Sequence, residues 1–251
     1  MTSPLSHGRR FQLLGGAAFR SFRCLWMLEE LGLAYDHLLV MPQSRKLKGL
    51  NPLGKVPVLI ERSESDSNGS NDKPLFVMYE SAAINTYLGD LVNRMQESNN
   101  YNGHNGERLV PLAGTHERGL FDQTVSCIIT ELDSQSLWIH RKHDAMGNIF
   151  GHIPKAVEHA KSHFNTVNAV LAQQIRDNAI SNYLVGSHFT AADILYIHCL
   201  DWSRSIGWDD QWKKDEQLCE YVKNCTDRPA YRQVAEMRAE EMKAIKAKSG
   251  L

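Results

Sequence analysis

A proline stands between two valines in NPLGKVPVLI, residues 51–60, and that placement limits what the chain can build there. Proline has no N–H to give to a ladder, so it belongs at a strand start, an edge or a turn. Pro57 therefore predicts that Val56 offers its backbone N–H and C=O to something other than a neighbouring strand.

The pattern on either side supplies the frame. FQLL (11–14) reads as a short strand ending in Gly15-Gly16. FRSFRCLWMLEELG reads as a helix closed by Gly32. Its run Cys24-Leu25-Trp26-Met27-Leu28 is apolar around the whole circumference, which predicts a helix covered on both sides. YDHLLV (35–40) is a second strand, and strand–helix–strand implies a parallel right-handed crossover. A short polar helical piece ends at Asn51-Pro52. VLI (58–60) and LFVMY (75–79) read as an antiparallel pair, with the polar ERSESDSNGSNDKP as an exposed hairpin loop between them. SAAINTYLGDLV closes the set as a helix, and β-α-β followed by β-β-α is the order of a thioredoxin-like domain.

Residues 93–107, NRMQESNNYNGHNGE, are rich in Asn and Gly and nearly empty of core residues, which predicts a linker. Helical patterns follow: Thr115 to about Met146, Ile153 to about Asn178, Ala191 to Ile206 and two shorter helices. The expected organisation is α/β plus all-α: a thioredoxin-like domain over 1–92, a linker over 93–112 and an all-helical domain over 113–251.

Composition excludes several functions. The formal charge of −1 over 251 residues, with Lys and Arg spread along the chain, leaves no footprint for nucleic acid or an anionic membrane. No apolar run approaches the roughly 18 residues that cross a bilayer, and MTSPLSHGRR lacks the apolar core of a signal peptide. Five cysteines without a C-x-x-C argue against a disulfide framework. The sequons at Asn68 and Asn224 then read as chance matches. A cytoplasmic protein is expected.

HFTAADI (188–194) carries a capping box in its Asp variant, Thr190 with Asp193, flanked by Phe189 and Ile194 at the staple positions. Asp193 reads as a cap, not as a catalytic acid. His159 with His163 and His140 with His143 have helical spacing, but no H-E-x-x-H and no third ligand accompanies them, so no metal is expected.

NPLGKVP, then ESAAINTYL after a strand, then GSHFTAADI in a helical region resemble, in this order, the glutathione transferase family. FRCLWMLEELGLAYD and TDRPAYRQV are similar to the family's first and last helices, so the resemblance covers nearly the whole chain. ELDSQSLWIHRKH resembles a stretch of one bacterial-type branch, with no class assigned. The resemblance implies a homodimer that binds glutathione as co-substrate, without a metal, and directs its thiolate to a small hydrophobic electrophile. It implies a glutathione site of Phe19, Lys55, Val56, Pro57, Glu80 and Ser81. Pro57 would be cis, and Val56 would pair with the cysteinyl backbone as a one-residue β-augmentation. Ser81 at a helix N-terminus would hold the γ-glutamyl carboxylate, Glu80 its ammonium, and Lys55 the glycine end, where Arg45 or Lys48 could add charge.

The catalytic position breaks the pattern. The Ser, Tyr or Cys that activates the thiol in the family falls here at Ala17, Ala18 or Phe19, none with a usable donor. Arg20 and Ser21 are the nearest candidates, and Cys24 reads as a core thiol. A helix N-terminus contributes about 0.3–1 kcal/mol and at best ~2, against ~1.4 kcal/mol per pKa unit. The dipole alone therefore lowers a thiol by about one unit, and more needs a charge such as that of Arg20. Ser134, Trp138 and Arg141 share a face at α-helical spacing, and the resemblance, which sets this helix beside the substrate cleft, implies Trp138 and Arg141 as candidate walls of an electrophile cleft. The competing readings are a transferase and a non-catalytic or glutathione-dependent reductase relative that keeps the fold and the site.

Overall fold

The computed structural model describes residues 9–63, 74–97, 107–178 and 180–249. The polar insert between the third and fourth strands and most of the expected linker lie outside the described residues. Contacts divide the chain into two compact units, one of residues 1–107 with 228–251 and one of 108–227. The sequence reading put residues 228–251 in the helical domain; here they join the first unit.

The first unit holds a four-stranded sheet in the order β2-β1-β3-β4, formed by β1 (Arg9–Leu14), β2 (Tyr35–Leu38), β3 (Val58–Ser63) and β4 (Phe76–Tyr79). β1 and β2 run parallel, whereas β1–β3 and β3–β4 are antiparallel. The thioredoxin-like order read from the sequence is borne out. Between the first two strands lies α1 (Ser21–Glu30). It ends in a Schellman motif: Leu33 N–H bonds Leu28 O at 3.1 Å, Gly32 N–H bonds Glu29 O at 3.1 Å, and Gly32 takes φ 61°. Nine of its ten residues are buried, as a helix apolar all round requires. α2 (Arg45–Lys48) is a single turn capped by Ser44. α3 (Ser81–Glu97) runs five residues past the expected end of its domain at 92.

The second unit begins with α4 (His116–Cys127), capped by Thr115. The sequence predicted one continuous α-helix from there to about Met146. Instead the winding turns π over Ile128–Leu137, α over α5 (Trp138–His140) and π again over Arg141–Ala145. The physical reason lies in the buried positions. Ile128, Leu132, Asp133, Ser136 and Leu137 recur at four- to five-residue steps, and the wider π turn keeps them on one side. It also removes the α-helical spacing that grouped Ser134, Trp138 and Arg141. α6 (Gly147–Phe150), α7 (Pro154–Asp177), α8 (Ala191–Ser205), α9 (Glu216–Thr226) and α10 (Pro229–Ser249) complete the helices, α10 belonging to the first unit. Among the described residues no helix is long and apolar enough to cross a membrane.

The core of the second unit is organised by α8 and its cap. The capping box of Thr190 and Asp193 is present, and Phe189 and Ile194 are fully buried. Asp193 does more than cap. Its carboxylate accepts from Thr190 N–H at 2.8 Å, Thr190 Oγ1 at 2.9 Å, Leu184 N–H at 3.0 Å and Tyr221 O–H at 2.9 Å. Burial raises its pKa, and the four donors oppose that shift. Replacing Thr190 by Ala removes one of these donors and the cap. A loss of about 0.5–2 kcal/mol in urea unfolding is expected, and an unchanged midpoint would refute the structural reading of Thr190.

Candidate functional site

The β3 ladder starts at Val58, directly after a cis Val56–Pro57 bond, so Val56 stands outside it. The loop before it is fixed by a residue that the sequence reading treated only as a helix end. Asn51, 1% exposed, donates to Lys55 O at 2.8 Å and accepts from Leu53 N–H at 3.0 Å. Its place before Pro52 and Gly54 was the available signal for this side-chain turn.

Strand register then brings the two halves of the expected site together. Val58 pairs with Tyr79 in an antiparallel ladder, so the chain entering at Val56–Pro57 lies beside the chain leaving at Glu80–Ser81. Glu80 is exposed and takes φ 74°, a left-handed conformation that costs a non-glycine residue roughly 1–3 kcal/mol. Its carbonyl accepts the first α3 bond, from Ile84 N–H at 2.9 Å. Ser81 is buried at the first position of α3, and its hydroxyl accepts from Arg23 Nη1 at 3.3 Å. The guanidinium leaves the Ser81 proton free to donate elsewhere. Beneath it, Cys24 Sγ approaches Ser81 O at 3.7 Å. Burial pushes this thiol far up despite Arg23, which fits a core cysteine. Lys55, Arg45 and Lys48 are exposed on the neighbouring loop and on α2.

The segment between β1 and α1 behaves differently from its sequence reading. Gly15, taken only as the end of a strand, has φ 123°, and a Cβ on it would lie 2.2 Å from Ser21 Oγ and 2.7 Å from Val56 Cβ. Glycine is required there by both conformation and close approach. Ser21 is 0% exposed, and its hydroxyl has no hydrogen-bond partner among the described residues. Ala17 is buried, Ala18 exposed, and Phe19 and Arg20 half-buried, with Arg20 the N-cap of α1.

Glu241, which no sequence signal singled out, reaches this segment from α10. Its Oε2 accepts from Ala17 N–H at 2.6 Å, and its Oε1 lies 3.6 Å from His37 Nε2. That nitrogen donates to Gly15 O at 2.8 Å. One face of α10 fixes the approach: Tyr231, Val234, Arg238 and Glu241 follow at steps of three and four. Tyr231 packs edge-on against Trp26 and Phe22, with centroids 4.9 and 5.5 Å away, and the Arg238 guanidinium lies 4.6 Å from the Phe22 centroid. Just before the helix, Arg228 clasps the buried Glu30 at 2.7 and 2.8 Å, and Trp26 Nε1 donates to the same carboxylate at 2.8 Å.

In the second unit Trp138 and Arg141 are half-buried, with Lys142 Nζ 6.0 Å from the Trp138 ring centre. The histidines have protein partners. His163 meets Glu131 at 3.0 Å, His140 meets Asp144 at 3.2 Å and His143 meets Gly151 O at 2.9 Å. Burial lowers the His140 pKa, opposed by Asp144. Among the described residues no group of three or more His, Cys, Asp or Glu could hold a metal ion.

Comparison with known proteins follows this geometry. Residues 20–91 match the family model of the glutathione S-transferase N-terminal domain. No curated protein matches the chain. Among solved structures, the glutathione transferase URE2P8 from Phanerochaete chrysosporium, crystallised with oxidized glutathione, is 23% identical over 95% of this chain and 99% of its own, with a TM-score of 0.70. Ure2p5 from the same fungus, cocrystallised with 1-(S-glutathionyl)-2,4-dinitrobenzene, is 18% identical over 94% and 98%, also at 0.70. Glutathione transferase F7 from Populus trichocarpa is 15% identical over 91% and 99%, again at 0.70. Fungal and plant structures match alike, so no branch is singled out. The family resemblance read from the sequence is borne out over residues 20–91, which match the glutathione S-transferase N-terminal domain, and the chain as a whole has the glutathione transferase fold.

Proposed function

We propose that the protein is a glutathione transferase that binds glutathione in its first unit and directs the sulfur to a small hydrophobic electrophile. The observation that carries the reading is the adjacency of Val56, outside the ladder beside cis Pro57, and the α3 N-terminus at Glu80–Ser81. An extended peptide can pair with Val56 while its γ-glutamyl carboxylate meets the Ser81 hydroxyl and the positive end of a 17-residue helix. Glu80 takes the ammonium, Phe19 and Pro57 flank the ligand, and Lys55 serves the glycine end. Trp138 and Arg141 are proposed for the electrophile cleft. The same reading makes the protein a cytoplasmic homodimer acting in detoxification, with glutathione as co-substrate and no metal, nucleic acid or membrane involved.

Thiol activation falls to Arg20. It is half-buried at the N-cap of α1 and carries a guanidinium that can donate to a sulfur anion, whereas the Ser21 hydroxyl is fully buried against Gly15. A second reading, a non-catalytic or glutathione-dependent reductase relative, is favoured by a donor slot that falls at Ala17, Ala18 or Phe19, none with a usable side-chain donor, and by the Glu241 carboxylate on Ala17 N–H. A steady-state assay with a generic aromatic electrophile beside a glutathione titration separates the two. Binding without turnover selects the second.

Ser81→Ala and Glu80→Ala should each weaken glutathione binding by about 1–3 kcal/mol in calorimetry, because a charged ligand group loses its hydrogen bonds. Unchanged affinity in both would remove the site. In an ultraviolet thiolate titration at saturating glutathione, Arg20→Ala should raise the bound thiol pKa by about one unit, roughly 1.4 kcal/mol, and Ser21→Ala should change little. The reverse pattern would make Ser21 the donor. Sedimentation at micromolar concentration should give twice the chain mass, and a clean monomer would count against the dimer.

A further inference from the structure

We propose that Glu241 raises the pKa of the thiol bound beside the Gly15–Ala17 loop, opposing the activation by Arg20. The inference rests on the glutathione-binding reading above and assigns the residue that limits its reactivity. Three observations carry it.

The first is position. A Cβ on Gly15 would lie 2.7 Å from Val56 Cβ, so this loop and Val56 touch. A cysteinyl residue paired with the Val56 backbone therefore has the loop within reach of its side chain. Glu241 Oε2 lies on that loop, 2.6 Å from Ala17 N and 3.0 Å from where a Cβ of Gly16 would stand.

The second is chemistry. An ionised carboxylate only accepts hydrogen bonds. It can take the S–H proton of a thiol as a hydrogen bond, but it repels a thiolate, and a nearby like charge favours the neutral form. The Glu241 side chain is 11% exposed, which limits solvent screening. It also takes the Ala17 N–H, a backbone donor in the stretch Ala17 to Phe19 where the resemblance puts the family's side-chain donor.

The third is fixation. The carboxylate is delivered by a docked helix, held by Arg228 on Glu30 and by Tyr231 on Trp26 and Phe22, so it is not a loose surface charge. Of the titratable groups on the segments that meet it, His37 from β2 lies 3.6 Å from Oε1; β2 also carries Tyr35 and Asp36, the segment before α1 carries Arg20, and the neighbouring turns of α10 carry Arg238, Glu240 and Lys243.

The test is an ultraviolet thiolate titration of the full chain saturated with glutathione, for the parent, Glu241→Gln and Glu241→Asp. Glutamine keeps an oxygen for Ala17 N–H and removes the charge; aspartate keeps the charge. Glu241→Gln should lower the bound thiol pKa by about one unit, a roughly tenfold larger thiolate fraction well below the pKa, equivalent to about 1.4 kcal/mol. Glu241→Asp should stay close to the parent. Affinity for S-methylglutathione, which has no S–H, should agree within twofold across all three, which a loop-positioning role alone would not give. An unchanged or raised thiol pKa in Glu241→Gln, with glutathione still bound, overturns the inference and leaves the binding site standing. A parent that binds neither glutathione nor S-methylglutathione overturns the site as well.

Discussion

A helix with nine of ten residues buried has no face to give to water, and this constraint organises the first unit. The sheet and α3 cover part of α1, and α10 covers the rest, which is why the end of the chain returns to the domain where it began. The magnitudes say what holds α10 there. The edge-on contacts of Tyr231 with Trp26 and Phe22 contribute about 0.5–1.5 kcal/mol each beyond their buried area. The Arg228–Glu30 pair gains little net energy once desolvation is set against it. The rings supply adhesion, and the ion pair, with Trp26 donating to the same carboxylate, fixes where along α1 the helix sits. That register carries Glu241 to the loop after β1.

The glutathione reading depends on a different constraint, the antiparallel pairing of β3 and β4. Because the ladder starts at Val58 opposite Tyr79, two segments far apart in sequence end side by side. One offers backbone outside the ladder, the other a helix N-terminus. The left-handed Glu80 is the strained link that turns β4 into α3. Arg23 below Ser81 adds a buried cation to the end of the helix that already carries positive potential. An anionic carboxylate is the ligand group such a corner suits.

The second unit shows how polar groups can order a core. Asp193 gathers four donors from the turn before α8, from its own cap and from α9, so one side chain ties three segments together. Leaving any of those donors unmet would cost more than the bond itself contributes, since a buried unpaired group bears its full desolvation penalty. The π winding of Ile128–Leu137 follows from burial rather than from propensity: the apolar positions recur at a step longer than the α turn.

The sequence alone determined whatever local chemistry dictates. Pro57 announced the start of β3, Gly32 the end of α1, Thr190 and Asp193 the start of α8, and the apolar run from Cys24 to Leu28 the need for cover on both sides. It also exposed the missing donor at Ala17 to Phe19, because a side chain that cannot donate is legible without coordinates. Tertiary structure decided what depends on groups distant in sequence. That Ser21 is buried against Gly15, that Ser81 rests on Arg23, and that the helix covering α1 comes from residues 229–249 follow from packing between segments. Glu241 looked like any charge in the run AEEMKAIKAK. Its meeting with Ala17, 224 positions earlier, exists only once α10 has docked. Local rules reach about one helical turn or one strand pair, and a carboxylate on a distant backbone N–H lies beyond them.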